Sequence, residues 1–333
     1  MTTNAPLRGT WRQLMAHPVD WLVAMLASWT VPLGFFGRPS TYFTSLWFWL
    51  LPVLLLLPRF YMSTDSGGRR RRAFWITVGF VFVAGIVLDF ILGRWILRFD
   101  DVTPHVYIWR LPAWGNGIPI EEVLFYLLGG MAILLVYIWA DEYWMHAYNV
   151  RQKQWNHELF GEAFRLIHFS APAVVLGLTL IFAGMTTKWF LGHGAWPPPY
   201  YFTFIVVAAL VPAIAVYRSL QRVVNWRAFS FTCLYVLVTS CIWEVSLGIA
   251  QGWWWYQPPP AVIGWTVLPF GRLERFYPIE ALLVWLVISF DAILAYEFMK
   301  GVTYDLRFVE NTLFGPPRAA AERHIDAAVV PPR

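Results

Sequence analysis

Two stretches of this chain place acidic residues directly behind a proline: Pro119-Ile120-Glu121-Glu122 and Pro278-Ile279-Glu280-Ala281. Two further acids precede them, Asp89 in DFILG at 89–93 and Glu244 in EVSLG at 244–248. Carboxyl groups suit proton transfer, because one can deliver a proton while a neighbour removes another. Glu121 and Glu122 are adjacent, and close carboxyls compete for ionisation, which suits one of them to hold a proton. The positive end of a helix dipole favours charge on both and opposes this, so the balance stays open. A structural reading competes for each, since Pro followed by Glu is also an ordinary helix start. Asp291 is harder to assign to structure. It lies near the middle of an apolar run, where a charge costs roughly 2.5–3.5 kcal/mol. Glu280 and Asp291 are three helical turns apart, which puts them on one face. A neutral Asp hydrogen-bonded to a neighbouring helix is the alternative, and the corresponding position in the first half is Ala132.

Arg94, Arg98, Arg272 and Arg275 lie close to these acids along the chain and could hold one carboxylate charged, or could simply snorkel at a membrane surface. Aromatic residues cluster nearby: Trp253, Trp254, Trp255 and Tyr256 form a run of four, and Trp114, Phe125 and Tyr126 flank the first acidic motif. Aromatic belts at membrane surfaces account for many of the 21 tryptophans. A run this dense also suits a pocket that holds a cation away from water, at about 0.5–2 kcal/mol per ring.

The elements that must position these residues follow from composition. The chain has 333 residues, 58% hydrophobic and only 14% charged, which is membrane rather than soluble composition. Apolar stretches near bilayer-crossing length run at about 20–36, 45–58, 74–93, 120–140, 166–186, 201–217, 229–251 and 278–299. The expected fold is all-α, a polytopic membrane protein of about eight transmembrane helices. The basic residues orient it. With both termini cytoplasmic, all but seven of the 25 Lys and Arg fall on the cytoplasmic side, the seven being Arg38, Arg94, Arg98, Arg110, Lys188, Arg272 and Arg275. The net charge of +5 is then explained by loops facing anionic lipid, with no nucleic acid implied. Residues 1–19 lack the features of a signal peptide, so the first span is expected to be retained in an inner (cell) membrane. Cys233 and Cys241 fall inside one span and imply no disulfide framework.

The two halves can be laid over each other. Each reads acid-x-x-x-Gly, an aromatic loop, Pro-Ile-Glu, then a Tyr 18 residues after the Pro, as Tyr137 and Tyr296. The organisation expected is a cytoplasmic segment 1–19, a first membrane repeat 20–142, a cytoplasmic linker 143–165, a second repeat 166–300 and a flexible tail 301–333. Four helices per repeat, an even number, make the repeats parallel and open both acidic mouths on one face.

Absent motifs narrow the chemistry. There is no G-x-G-x-x-G for a dinucleotide, no aspartate-rich diphosphate cluster, no metal-ligand histidine spacing, no G-x-S-x-G and no P-loop. Neither a cofactor nor a metal is expected. What remains is acid–base work by carboxyls at the membrane boundary on a substrate apolar enough to live in lipid.

On PIEE at 119–122 with its Phe125-Tyr126 continuation, PIEA at 278–281, and the Asp89 and Glu244 segments, the chain resembles the membrane-integral, flavin-independent lycopene cyclases, found as two small subunits or as a fused tandem. The resemblance covers about 74–142 and 229–300. It implies a non-redox isomerisation in which an acid protonates the terminal double bond of a linear carotene, a neighbouring double bond closes a six-membered ring, and a base removes a proton. Carried over by position, Glu121, Glu122 and Glu280 would be the catalytic carboxyls, and the partner would be a lipid-soluble polyene such as lycopene. Ala281 stands where an acid is expected, so the halves need not be equivalent. A carotenoid hydratase or a cyclase of another membrane-soluble terpene would leave the same motif, and a transporter or pigment-binding protein is the non-enzymatic alternative.

Overall fold

A computed structural model of the chain describes Leu26 and residues 42–62, 68–99, 107–109, 118–145, 170–221, 223–268 and 276–303. The described residues are mostly helical, and six helices are long and apolar enough to cross a membrane: Arg70–Gly93, Ile120–Trp144, Ala171–Phe190, Tyr200–Tyr217, Trp226–Ile249 and Ile279–Val302. They match six of the eight expected stretches. The stretch at 45–58 is a shorter apolar helix, and the one at 20–36 lies outside the described residues apart from Leu26. The linker after Met145, up to Phe169, and the tail beyond Thr303 lie outside them as well.

Local chemistry sets the element boundaries. Helix α1 is Trp47–Met62, preceded by one helical turn at Tyr42–Ser45. Helix α2, Arg69–Leu88, runs on through a wider π-helical turn, Asp89–Gly93, and a short turn, Arg94–Ile96. Helix α3, Ile120–Trp139, begins directly after Pro119, whose extended backbone (φ −68°, ψ 148°) suits a residue entering a helix. Helix α4 is Ala171–Phe190, and Pro172 falls in its first turn, so this proline starts a helix and does not interrupt one. Helix α5, Tyr200–Phe204, passes through a π turn, Ile205–Leu210, into α6, Val211–Leu220. Pro212 follows that turn. A helical proline lacks its own donor and crowds the carbonyl four residues back, and a wider turn absorbs both defects. Helix α7, Trp226–Trp243, is capped by Asn225, whose side chain accepts from the Ala228 N–H at 3.3 Å, and it too continues into a π turn, Glu244–Ile249. Helix α8, Ile279–Val302, starts after Pro278.

At the core α2, α3, α7 and α8 pack together, with α1 against α3 and α6 against both α4 and α8. Helix α3 is the most enclosed: every residue from Gly129 to Ala140 is buried. At its far end from the acidic motif the Tyr137 hydroxyl donates to Glu297 at 3.0 Å, and the Asn225 amide donates to Asp141 at 2.9 Å, tying three helices with buried polar groups.

The all-α expectation is amended by three short strand pairs in the loops at the acidic end. Strands β1 (Leu97–Phe99) and β4 (Trp254–Tyr256) pair antiparallel, with Leu97 opposite Tyr256, Arg98 opposite Trp255 and Phe99 opposite Trp254. Strand β2 (Tyr107–Trp109) pairs with β3 (Ile118–Pro119), and β5 (Thr266–Leu268) pairs with β6 (Tyr277–Pro278). Backbone groups leaving the helices near a bilayer need partners, and these pairings supply them. They also join the end of α2 to the end of α7, which brings the Asp89 and Glu244 turns to the same place.

Candidate active site

The π turns carry the first pair of acids. Asp89 opens the turn after α2 and Glu244 opens the turn after α7, and both side chains are buried. The acid-x-x-x-Gly spacing has a packing reason in each case. A Cβ on Gly248 would lie 2.1 Å from the Trp254 ring, and one on Gly93 would lie 2.8 Å from the Asp89 carboxyl. A side chain at 248 would displace the tryptophan ring, and one at 93 would push the acid aside.

The first turn of α3 carries Glu121 and Glu122, both buried. Glu122 lies within electrostatic range of Asp89 and Glu244. The Tyr42 hydroxyl donates to Glu122 Oε2, and the Tyr126 phenol reaches both Asp89 and Glu122. Tyr126 can stand so close because a Cβ on Gly85 would sit 2.4 Å from its ring. Tyr42 is itself anchored. Ser45 Oγ donates to the Tyr42 carbonyl at 2.6 Å and accepts from Trp243 Nε1 at 3.0 Å. Burial first, and then the neighbouring Glu122, pushes the Tyr42 phenol well above its usual range, so it stays protonated.

Glu244 is held by donors on both oxygens: Trp285 Nε1 donates to Oε1 and the Tyr256 hydroxyl to Oε2. An indole N–H can only donate, so Glu244 Oε1 is an acceptor. Burial, then Glu244, pushes the Tyr256 phenol well above its ordinary range and keeps it a donor.

Glu122 and Glu244 line one chamber of about 110 Å³. Its walls are aromatic. Phe125 stacks on Trp243 at 4.8 Å between centroids, Trp254 lies 4.8 Å from Trp243, and Trp49 backs Trp285 at 4.8 Å with planes only 8° apart. Tyr42, Tyr126, Tyr201 and Tyr256 complete it. Beside it runs a larger apolar groove of about 560 Å³ between α2, α6 and α8, and Leu97, Tyr126, Tyr201, Val284 and Ile288 belong to the walls of both. Asp89 and Asp291 face the groove.

Other expected site residues are placed elsewhere. Glu121 is buried but lines neither space. Glu280 is fully buried and accepts the Ile263 backbone N–H at 2.6 Å, tying the second aromatic loop to the start of α8 and not facing the chamber. It lines neither of these two spaces, whereas Asp291 faces the groove, although both ride one helix. The alternative of Asp291 hydrogen-bonded to another helix is not what forms: among the described residues no hydrogen-bond partner meets its carboxyl. Trp253 packs behind Tyr42 at 6.2 Å. Trp255 faces the other way, because successive strand residues alternate, and carries the Arg98 guanidinium over its ring at 5.4 Å. Arg98 is thus exposed and stacked, not set beside an acid. No ion pair reaches Asp89, Glu122, Glu244, Glu280 or Asp291 among the described residues. Arg94 lies in its helical turn, while Trp114, Arg272 and Arg275 lie outside the described residues.

Among the aromatic residues of the chamber, Tyr42, Phe99, Tyr201, Trp243 and Trp285 are not singled out by the sequence reading. A signal for three of them was present. Tyr42-Phe43-Thr44 recurs as Tyr201-Phe202-Thr203 at the same offset of 159 residues that carries Pro119 to Pro278, and this offset also carries Tyr126 to Trp285. The matched residues take matched places. Tyr126 reaches Asp89 and Trp285 reaches Glu244; Tyr42 meets Glu122, and Tyr201 lies within range of Glu244 and Glu280. Among the described residues no group of three or more His, Cys, Asp or Glu is arranged to hold a metal ion. In comparisons with known proteins, no family model, curated protein or solved structure matches the chain.

Proposed function

We propose that this chain is an integral membrane isomerase that closes rings on a linear carotene of the lycopene type by acid–base chemistry. The observation that carries the reading is the shared chamber: two buried carboxyls, Glu122 and Glu244, line one aromatic-walled space that opens beside an apolar groove. The groove suits the body of an oily polyene and the chamber suits its end.

Hydrogen-bond chemistry supports a division of roles. Glu122 faces phenols, which can both donate and accept, so it can carry a proton and be resupplied through Tyr42 and Tyr126. Glu244 has one oxygen committed to an obligate donor and the other to a phenol, which suits a carboxylate base. Glu122 delivers a proton to the terminal C=C, leaving a tertiary carbocation. The π electrons of a neighbouring double bond form the new ring bond and carry the charge onto the ring. Glu244 then removes a proton from the adjacent carbon and the double bond re-forms. One proton enters and one leaves, so nothing is oxidised or reduced. The faces of Phe125, Trp243, Trp254 and Trp285 stabilise the cation and exclude the water that would capture it.

The same reading takes the chain as a tandem of two parallel four-helix halves in the cell membrane, eight spans with both termini cytoplasmic. Its support is the offset shared by Tyr42 with Tyr201, Pro119 with Pro278, and Tyr126 with Trp285. The antiparallel pairing of β1 with β4 about Arg98 and Trp255 has the symmetry such a tandem requires. The halves diverge in function, with Glu122 matched by Ala281. Purified protein given lycopene without flavin or nicotinamide, followed by pigment chromatography, tests the proposal. A ring-bearing product is expected. Unchanged lycopene from folded protein refutes it, and a hydroxylated product would establish water capture instead.

A further inference from the structure

The groove has a direction as well as a volume. Its wall runs from Val284 to Met299 on α8 and from Ile205 to Leu220 on the π turn and α6, a rise of ~22 Å on each. On α2 it follows Val81, Ala84 and Leu88, which share one helix face. The groove therefore lies parallel to the helix axes, over much of the ~30 Å thickness of a bilayer's hydrocarbon core. Its two ends differ. One meets the chamber through Tyr126 and Tyr201, beside Glu122 and Glu244. The other is walled by Val216, Leu220, Phe298 and Met299, none of which can carry a proton. Asp291 stands midway on α8, ~10–12 Å from either end of that wall, too far to serve a terminal double bond. The long side is open. Phe80, 64% exposed, and the exposed Ala208 and Pro212 belong to the groove. Counting helical rise, Phe80 lies ~14 Å from Asp89 and Pro212 ~16 Å from Tyr201, a depth at which acyl chains and not water surround a membrane protein.

We propose that the polyene enters this groove sideways from the lipid, lies in it parallel to the helices, and presents one end to the chamber on each visit. A second ring then requires the one-ring product to return to the bilayer and re-enter reversed. A stiff conjugated chain cannot turn end for end between packed helices, and the acids of the chamber serve one end of the groove only. The open side supplies the route. Exchange through it moves the chain between two apolar surroundings, so no hydrocarbon surface passes through water and the hydrophobic effect does not oppose release. The inference rests on the reading that the groove holds a linear polyene, and it specifies how that substrate is oriented and in what order its ends react.

Two measurements test it. The first needs no turnover: protein carrying bound lycopene, with unbound pigment removed, is placed in oriented bilayers and its linear dichroism is recorded. A polyene absorbs light polarised along its length, so the absorption should align with the membrane normal. Absorption lying in the membrane plane, or showing no preferred direction, overturns the proposal. The second is a chase. Radiolabelled lycopene is allowed to form its first ring, and an about tenfold excess of unlabelled lycopene is then added. Over the time an unchased sample takes to close its second ring, labelled two-ring product should fall about tenfold by competition, with the label held in one-ring product. Labelled two-ring product in undiminished yield shows both ends reacting in one visit and overturns the proposal. Failure to form any ring would refute the cyclase reading, and the dichroism would still decide how the groove holds its polyene.

Discussion

Replacing Glu122 by Gln separates proton transfer from everything else this side chain does. Glutamine keeps the size of the side chain and an acceptor oxygen for the Tyr42 hydroxyl, so the packing of the chamber should survive. What it loses is the ability to deliver a proton to carbon. Proton transfer by a positioned side chain contributes roughly 10²–10⁴-fold to rate, which at about 1.36 kcal/mol per tenfold is about 2.7–5.5 kcal/mol of barrier. Glu280→Gln is the internal control. Its oxygen bonds the Ile263 N–H, which the amide oxygen of Gln still accepts, so its rate should stay within about threefold of wild type. The assay is turnover of lycopene by each purified variant under single-turnover conditions, with retained pigment measured alongside. Glu122→Gln should bind pigment and lose its rate. If it keeps more than about a tenth of the wild-type rate, or if Glu280→Gln is the inactive variant, the assignment of roles is wrong.

Further outcomes follow from single contacts. Trp285→Phe keeps an aromatic face but removes the N–H that Glu244 Oε1 accepts, and turnover should fall about 10-fold or more with binding little changed. Tyr42→Phe removes one donor to Glu122 and should slow turnover by about tenfold, measured in the same assay. Gly248→Ala places a Cβ 2.1 Å from the Trp254 ring, so the ring must move. A loss of about 1–3 kcal/mol in detergent unfolding and a changed tryptophan emission spectrum are expected. Asn225→Ala removes the α7 cap and the amide that Asp141 accepts, and should lower stability by about 2–4 kcal/mol without altering the product.

The positions of the acids were legible in the sequence because local rules determine them. Proline followed by glutamate starts a helix, and a run of apolar residues ending in an acid marks where that helix leaves the membrane; α2, α3, α7 and α8 end or begin where those rules place them. Contacts around the acids were not legible in the same way. Tyr42 meets Glu122 across 80 residues and Trp285 meets Glu244 across 41, and both depend on how helices rotate against each other. A tryptophan at the seventh position of a membrane helix reads as interfacial belt until its N–H is seen to point at a carboxyl. In sequence the run at 253–256 reads as four equal aromatics, whereas the alternation of a strand turns Trp254 and Tyr256 inward and Trp255 out. Glu280 shows the limit of transfer by motif. It matches Glu121 in spacing, and spacing alone does not reveal that one of its oxygens accepts a backbone N–H of the neighbouring loop. The π turns at Asp89 and Glu244 have no sequence signature beyond the glycine four residues on, and they are what aims both acids inward.

The central claim, that a carboxyl adds a proton from exchangeable stock to carbon while another removes a different one, is most directly tested by running the reaction in D₂O. Wild-type protein with lycopene should give a product carrying a single deuterium for each ring formed, and Glu122→Gln should give almost none. A cyclised product without solvent deuterium, or deuterium uptake that Glu122→Gln leaves intact, would contradict the account.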